Sequence, residues 1–238
     1  MADNPKVALV CTPHPDDAEG GCGGTIAKWI KQGTKVVYLL TTNGEKGSAN
    51  LEMDPRELVE IRKKEQMEAA RILGVHEVIM LGHPDSELDD DKQFRGEVVR
   101  AIRQHKPEVV LTTDPFRRYG FQHRDHRVTG QVTLDAVYPF ARDNLNFSEQ
   151  FKEGLAPHNV SEVYLWGAED PDTFIDITDV IDLKAQALAA HVSQMGDPAK
   201  VNERVRNMSK RWGERIRVEY AEAFRRLGTR PMPPAQRS

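Results

Sequence analysis

The chain has 238 residues, 39% hydrophobic and 29% charged, with a net charge of −4 and a pI of about 6.1. That length suits one α/β domain, residues 1–238, with a sizeable core. The charge balance argues against nucleic acid as a partner, and no apolar run is long enough to span a bilayer.

Residues 7–11, a continuous apolar run from Val7 to Cys11, predict a buried strand. The segment before it lacks the layout of a secretory signal, so the expected location is the cytoplasm. Directly after the strand come Pro13, His14, Pro15, Asp16, Asp17, Ala18 and Glu19. A glycine run, Gly20, Gly21, Cys22, Gly23 and Gly24, leads into a helix expected over 23–32. Residues 36–41 predict a second strand, and 42–53 a polar loop. Asp54, Pro55 and Glu57 form a strong helix start, and that helix runs to about Leu73 and stops at Gly74. Strands at 77–81 and 109–112 flank a helix at 94–105, and a further helix is expected over 129–140. The last third predicts strands at 163–166 and 173–177, then helices at 181–191 and 201–224. Residues 229–238 read as an extended tail. Alternating strands and helices favour a Rossmann-like three-layer α/β/α fold with a mostly parallel sheet.

In open α/β sheets, ligands bind outside the carboxyl ends of the strands. His14, Asp16 and Asp17 stand at such an end and are costly to desolvate without a partner. His14 and Asp17, three apart across a proline, can converge on one cation and leave Asp16 free. Zinc takes histidine nitrogen and carboxylate oxygen, although other divalent metals tolerate the same set. A free carboxylate beside metal-activated water can accept its proton. A turn histidine followed by capping aspartates explains the same residues without a metal. What shifts the balance is a second cluster, His123-Arg124-Asp125-His126, after the strand at 109–112. One of its histidines can be the third ligand. The other can donate a proton or stabilise an oxyanion, with Asp125 orienting it. The glycine run raises a competing reading, a nucleotide-binding module. It fails the G-x-G-x-x-G spacing, because Ile26 stands at the third position, and no acidic residue ends the second strand. Close helix–strand packing is the expected role of these glycines.

Together these motifs resemble the LmbE-like, PIG-L superfamily of zinc-dependent de-N-acetylases. His14-Pro15-Asp16-Asp17 is similar to its first motif. His123-Arg124-Asp125-His126 is similar to its second, which usually has proline where Arg124 stands. The resemblance implies His14, Asp17 and His126 as zinc ligands, Asp16 as general base and His123 as the group that stabilises the intermediate or protonates the leaving amine. Glu19 is expected to be structural, with orientation of a ligand as the alternative. Segments around Arg62, Asp85 and His191 resemble substrate-binding motifs, with His191 a candidate to act in its own or a neighbouring subunit's site. The implied function is removal of an N-acetyl group from a small N-acetylglucosamine-type molecule by a homo-oligomer. Hydrolysis of a non-sugar N-acyl compound is the alternative.

Overall fold

The computed structural model describes residues 4–228, so the tail expected at 229–238 lies outside the described residues. The elements run β1 (Val7–Thr12), α1 (Asp17–Lys31), β2 (Lys35–Thr42), α2 (Pro55–Leu73), β3 (Glu77–His83), α3 (Lys92–His105), β4 (Val109–Thr113) and α4 (Arg124–Asp135). A π-helical turn over Ala136–Phe140 extends α4. There follow α5 (Ser148–Lys152), β5 (Glu162–Trp166), β6 (Thr173–Asp176), α6 (Ile181–Ala189), α7 (Val192–Met195), α8 (Pro198–Ile216) and β7 (Ala221–Gly228).

The strands form one seven-stranded sheet in the order β3-β2-β1-β4-β5-β7-β6. β1 to β5 are parallel, and β7 runs antiparallel between β5 and β6. Central strands covered on both faces need continuous apolar runs, and side-chain alternation divides them between two cores. Ala8, Val10, Tyr38 and Leu111 face one core, with Ile26 and Trp29 of α1 and helices α6 and α8. Leu9, Cys11, Leu39 and Val110 face the other, with Phe94, Val98 and Ile102 of α3 and Val132 of α4. This is the expected three-layer α/β/α architecture. Helix signals in the sequence act as read: Asp54 accepts the Arg56 N–H at 2.8 Å, and Gly74 closes α2 at φ 81°. No helix among the described residues is long and apolar enough to cross a membrane.

Three expected boundaries need correction. The helix expected at 129–140 begins already at Arg124, so Asp125 and His126 stand in its first turn. The helix expected at 23–32 begins already at Asp17, so the glycine run lies inside α1. The helix expected at 201–224 ends at Ile216 with Arg217 at φ 63°, and the chain turns into β7. Pairing with β5 and β6 supplies backbone partners that local helical pattern cannot anticipate.

Candidate active site

The chain leaves β1 for β2 on one side and later returns to β4 on the other, so a crevice opens between the carboxyl ends of β1 and β4. Two helix N-termini meet there. Asp16 stands at the N-cap position of α1 without a capping hydrogen bond, Asp17 is the helix's first residue, His123 caps α4, and Asp125 lies in its first turn. The positive end of each helix dipole favours these carboxylates. Asp16 sits at φ 97°, a left-handed conformation that costs a non-glycine residue about 1–3 kcal/mol and clusters at functional sites.

Three expected ligand atoms converge. Asp17 Oδ2 lies 3.1 Å from His14 Nδ1 and 3.1 Å from His126 Nε2, and the donor atoms of the set fall within 4.8 Å of one another. Bonds of about 2 Å at tetrahedral angles separate neighbouring donors by about 3.3 Å. The nitrogen and oxygen donor set therefore fits a divalent cation such as zinc. Burial opposes charge on His14, but hydrogen bonds to Asp125, Asp17 and Asp85 push it up to about 11. Asp17 is buried, yet His126 and His14 hold it well below the usual carboxylate range. The carboxylates around His14 favour positive charge at this point.

Asp125 has a different partner from the one expected. It is 0% exposed, its Oδ2 lies 3.1 Å from His14 Nε2, and the same oxygen accepts the Ser86 N–H at 2.7 Å. The Nε2–H of His14 donates to this carboxylate and frees Nδ1 to face Asp17. That is the carboxylate–histidine arrangement that fixes a metal-binding imidazole. His123 Nδ1 is 3.8 Å from Asp125 Oδ2 and accepts the Asp125 N–H at 3.2 Å. Its Nε2 therefore carries the proton and points toward Ser86 Oγ, 3.4 Å away. Burial and the charge on His14 keep His123 below the usual histidine range, as a neutral donor. Its ring stands edge-on to His14 at 4.7 Å.

Asp16 Oδ2 accepts from Arg62 Nη2 at 3.2 Å. Burial and neighbouring Asp17 raise its carboxyl to about 7, against the pull of Arg62 and His191. Arg62, 3% exposed, also donates to Gly44 O at 2.9 Å and Pro15 O at 2.8 Å. Asp85, 5% exposed, turns Oδ1 to within 3.3 Å of His14 Nε2 and accepts the Lys46 N–H at 3.2 Å. His191 is 0% exposed, with Nε2 3.3 Å from Glu19 Oε2 of its own chain. In the single chain described, His191 is enclosed by residues of its own subunit. Glu19 accepts from Gln66 Nε2 at 3.0 Å and faces His191, a structural placement, while Asp125 is the carboxylate that meets His14. Arg124, where the family usually has proline, is the first residue of α4. Its guanidinium ties the helix start to Leu88 O and Asp89.

A buried pair behind the site was not foreseen. α1 breaks at Cys22, where φ is −144°, and the amides of Gly24 and Thr25 lose their helical acceptors. Glu222 of β7 accepts both, at 2.9 and 2.7 Å, and pairs with Lys184 of α6. Lys184 also donates to Gly20 O at 2.8 Å. Gly21 is needed at the break because a Cβ there would lie 2.5 Å from the Trp166 ring. Along this face runs a groove of about 620 Å³ that opens beside Asp16, Asp17 and His126 and continues past Trp166 to Trp212. Its size falls in the range of small-molecule sites.

Residues 9–137 match the family described as PIG-L, GlcNAc-PI de-N-acetylase. The chain is 37% identical to the diacetylchitobiose deacetylase of Thermococcus kodakarensis over 92% of its own length and 82% of that protein's. It is 32% identical to a probable N-acetyl-alpha-D-glucosaminyl L-malate deacetylase 2 of Bacillus cereus, over 78% of this chain and 82% of that one. Among solved structures it is similar to N,N'-diacetylchitobiose deacetylase from Pyrococcus horikoshii, with a TM-score of 0.89 and 34% identity over 95% of this chain and 85% of that one.

Proposed function

From the premise that this chain belongs to the PIG-L family and has relatives named as deacetylases, we propose that it is a metal-dependent deacetylase of small N-acetylglucosamine compounds. We read residues 1–238 as a single catalytic domain, cytoplasmic and homo-oligomeric. Exposed Tyr119 and Phe121, on the loop between β4 and α4, support the assembly.

The observation that carries the reading is the convergence of His14, Asp17 and His126 within 4.8 Å, with Asp16 beside them at the mouth of the groove. In this reading His14, Asp17 and His126 hold the cation, and the donor set suits zinc. When bound, such a cation lowers the pKa of water and polarises a carbonyl oxygen. Asp16 takes the proton from the attacking water, and Arg62 holds its carboxylate in place. Asp125 fixes the tautomer of His14. His123, neutral and protonated on Nε2, donates to the oxygen on which charge develops and is the group nearest to hand for the departing amine. The sugar-binding roles of Arg62 and Asp85 belong to the same proposal.

The test is acetate release from a panel of N-acetylglucosamine derivatives, with zinc restored, by the parent and Asp16→Asn. The variant keeps size and hydrogen bonding but cannot take up the proton. Its zinc per chain should equal the parent's, and turnover should fall about 100- to 10,000-fold. A near-parent rate in zinc-loaded Asp16→Asn would assign the base elsewhere. No acetate from any N-acetylated sugar would remove the deacetylase reading.

A further inference from the structure

His14 divides the site into two sides of different chemistry. Its Nε2 edge faces Asp85 and Asp125, with Ser86 and His123 beside them. Its Nδ1 edge faces Asp17, which His126 also meets. Asp85 follows β3, on the β1 side of the crevice between β1 and β4. The groove opens at Asp16, Asp17 and His126 and runs to the other side, under Trp166 of β5 and Ala223 of β7. Around Asp85 the groups are hydroxyl, amide and carboxylate, which suit a ring bearing hydroxyls. Along the groove Trp166, Leu188, Met195, Met208 and Trp212 present apolar surface. The buried charges on its wall, Lys184 and Glu222, neutralise each other. Arg204 at its edge is exposed and donates to the sulfur of Met195 at 2.8 Å.

We propose that this groove is a chamber for the acyl chain, and that the protein cleaves unbranched apolar acyl groups longer than acetyl from the amino sugar. This rests on the deacetylase reading. There His123 serves the departing amine and stands with Asp85, so the sugar lies on that side and the acyl chain points the opposite way, into the groove. The bond chemistry is unchanged: water adds to the carbonyl carbon, the C–N bond breaks, the nitrogen takes a proton and leaves on the sugar, and the chain leaves as a carboxylate. An acetyl methyl occupies little of the 620 Å³. Each further methylene that reaches the tryptophan walls leaves water, which favours the longer chain by about fourfold.

The test measures release of free glucosamine from the N-acetyl, N-butanoyl, N-hexanoyl and N-octanoyl derivatives by the zinc-loaded protein. Among these, kcat/KM should rise by up to about fourfold per methylene and level off where the groove ends. Burial away from the reacting atoms stabilises ground and transition states alike, so the gain should appear in KM. Met208 is exposed on α8, so Met208→Glu should keep the parent's melting temperature while its charge lowers the octanoyl-to-acetyl ratio of kcat/KM. Two of the three tryptophans line the groove and the third, Trp29, is sealed in a core. In zinc-loaded Asp16→Asn, N-hexanoylglucosamine should therefore shift the tryptophan emission, and N-acetylglucosamine should not. Glucosamine from the N-acetyl compound with rates that fall as the chain lengthens overturns this inference and leaves the deacetylase reading standing. An octanoyl-to-acetyl ratio unchanged in Met208→Glu overturns it, as does unchanged emission with N-hexanoylglucosamine above the parent's KM. A hexyl glycoside of N-acetylglucosamine that gains as much as the N-hexanoyl compound would give the groove to the substituent on the sugar and overturn it too. No glucosamine from any derivative, N-acetyl included, removes the deacetylase reading and this inference together.

Discussion

Asp125 shows how one side chain can govern another's chemistry. Its Oδ2 fixes the Nε2–H of His14 at 3.1 Å, and with it the nitrogen presented to a cation. Asp125→Asn keeps the size but can turn an amide N–H toward His14, so the tautomer is no longer imposed. Loss of such an orienting partner typically costs about 10- to 100-fold in metal affinity. Titration with a competing chelator should show that loss, with circular dichroism unchanged. Parent-like affinity would assign the tautomer to some other group. The candidate ligands were readable in the sequence because each motif confines its donors to a short segment at a strand end. The Asp125 partnership was not, because its two residues are brought together only by β1 and β4 lying side by side. The burial of His191 was equally hidden, since a histidine at the end of an apolar helix looks the same whether it faces outward or inward.

Helix α1 shows what a glycine run does when it is not a nucleotide loop. Its helix is broken at Cys22, and the break is capped from another element by Glu222. Two substitutions one residue apart should therefore differ. A Cβ at Gly20 would meet nothing nearer than Leu188 at 4.0 Å, so Gly20→Ala should be neutral or gain up to about 1 kcal/mol from helix propensity. A Cβ at Gly21 would stand 2.5 Å from Trp166, which is 5% exposed and cannot swing away. Gly21→Ala should lose about 1–3 kcal/mol through overpacking. Urea midpoints of the two variants check the pair, and equal midpoints would sink the account. α3 carries a comparable device. Arg103, 1% exposed, donates to the carbonyls of Ala141, Phe140 and Asn146, among others, and so fastens the segment after α4. Periodicity identified α3 and said nothing of this role, because those acceptors are backbone atoms that any sequence would offer.

Across the whole molecule, the strands and their mostly parallel arrangement were legible as far as β5, because strands alternate with helices. Legibility failed at β7, which enters antiparallel between β5 and β6 and whose backbone partners come from strands far apart in the chain. The two cores give a check on how completely the sheet is covered. Cys11 faces one and Cys22 the other, both 0% exposed. Burial pushes the Cys11 thiol up to about 12 and raises Cys22 well above the usual thiol range. Since the thiolate is the reactive form, a disulfide-exchange reagent at pH 8 should find almost no thiol in the native protein and both in denaturant. Rapid native labelling would mean that one face opens. The cap supplied by Glu222 also has a consequence for the order of events during synthesis. The helix that carries Asp16 and Asp17 leaves the ribosome well before the carboxylate that closes its break. A nascent chain halted at Tyr220 would hold both motifs and still leave the amides of Gly24 and Thr25 without their acceptor, and the ammonium of Lys184 without its carboxylate. Hydrogen exchange on a chain truncated there should show α1 unprotected, so that competence to capture a metal arrives with the final strand.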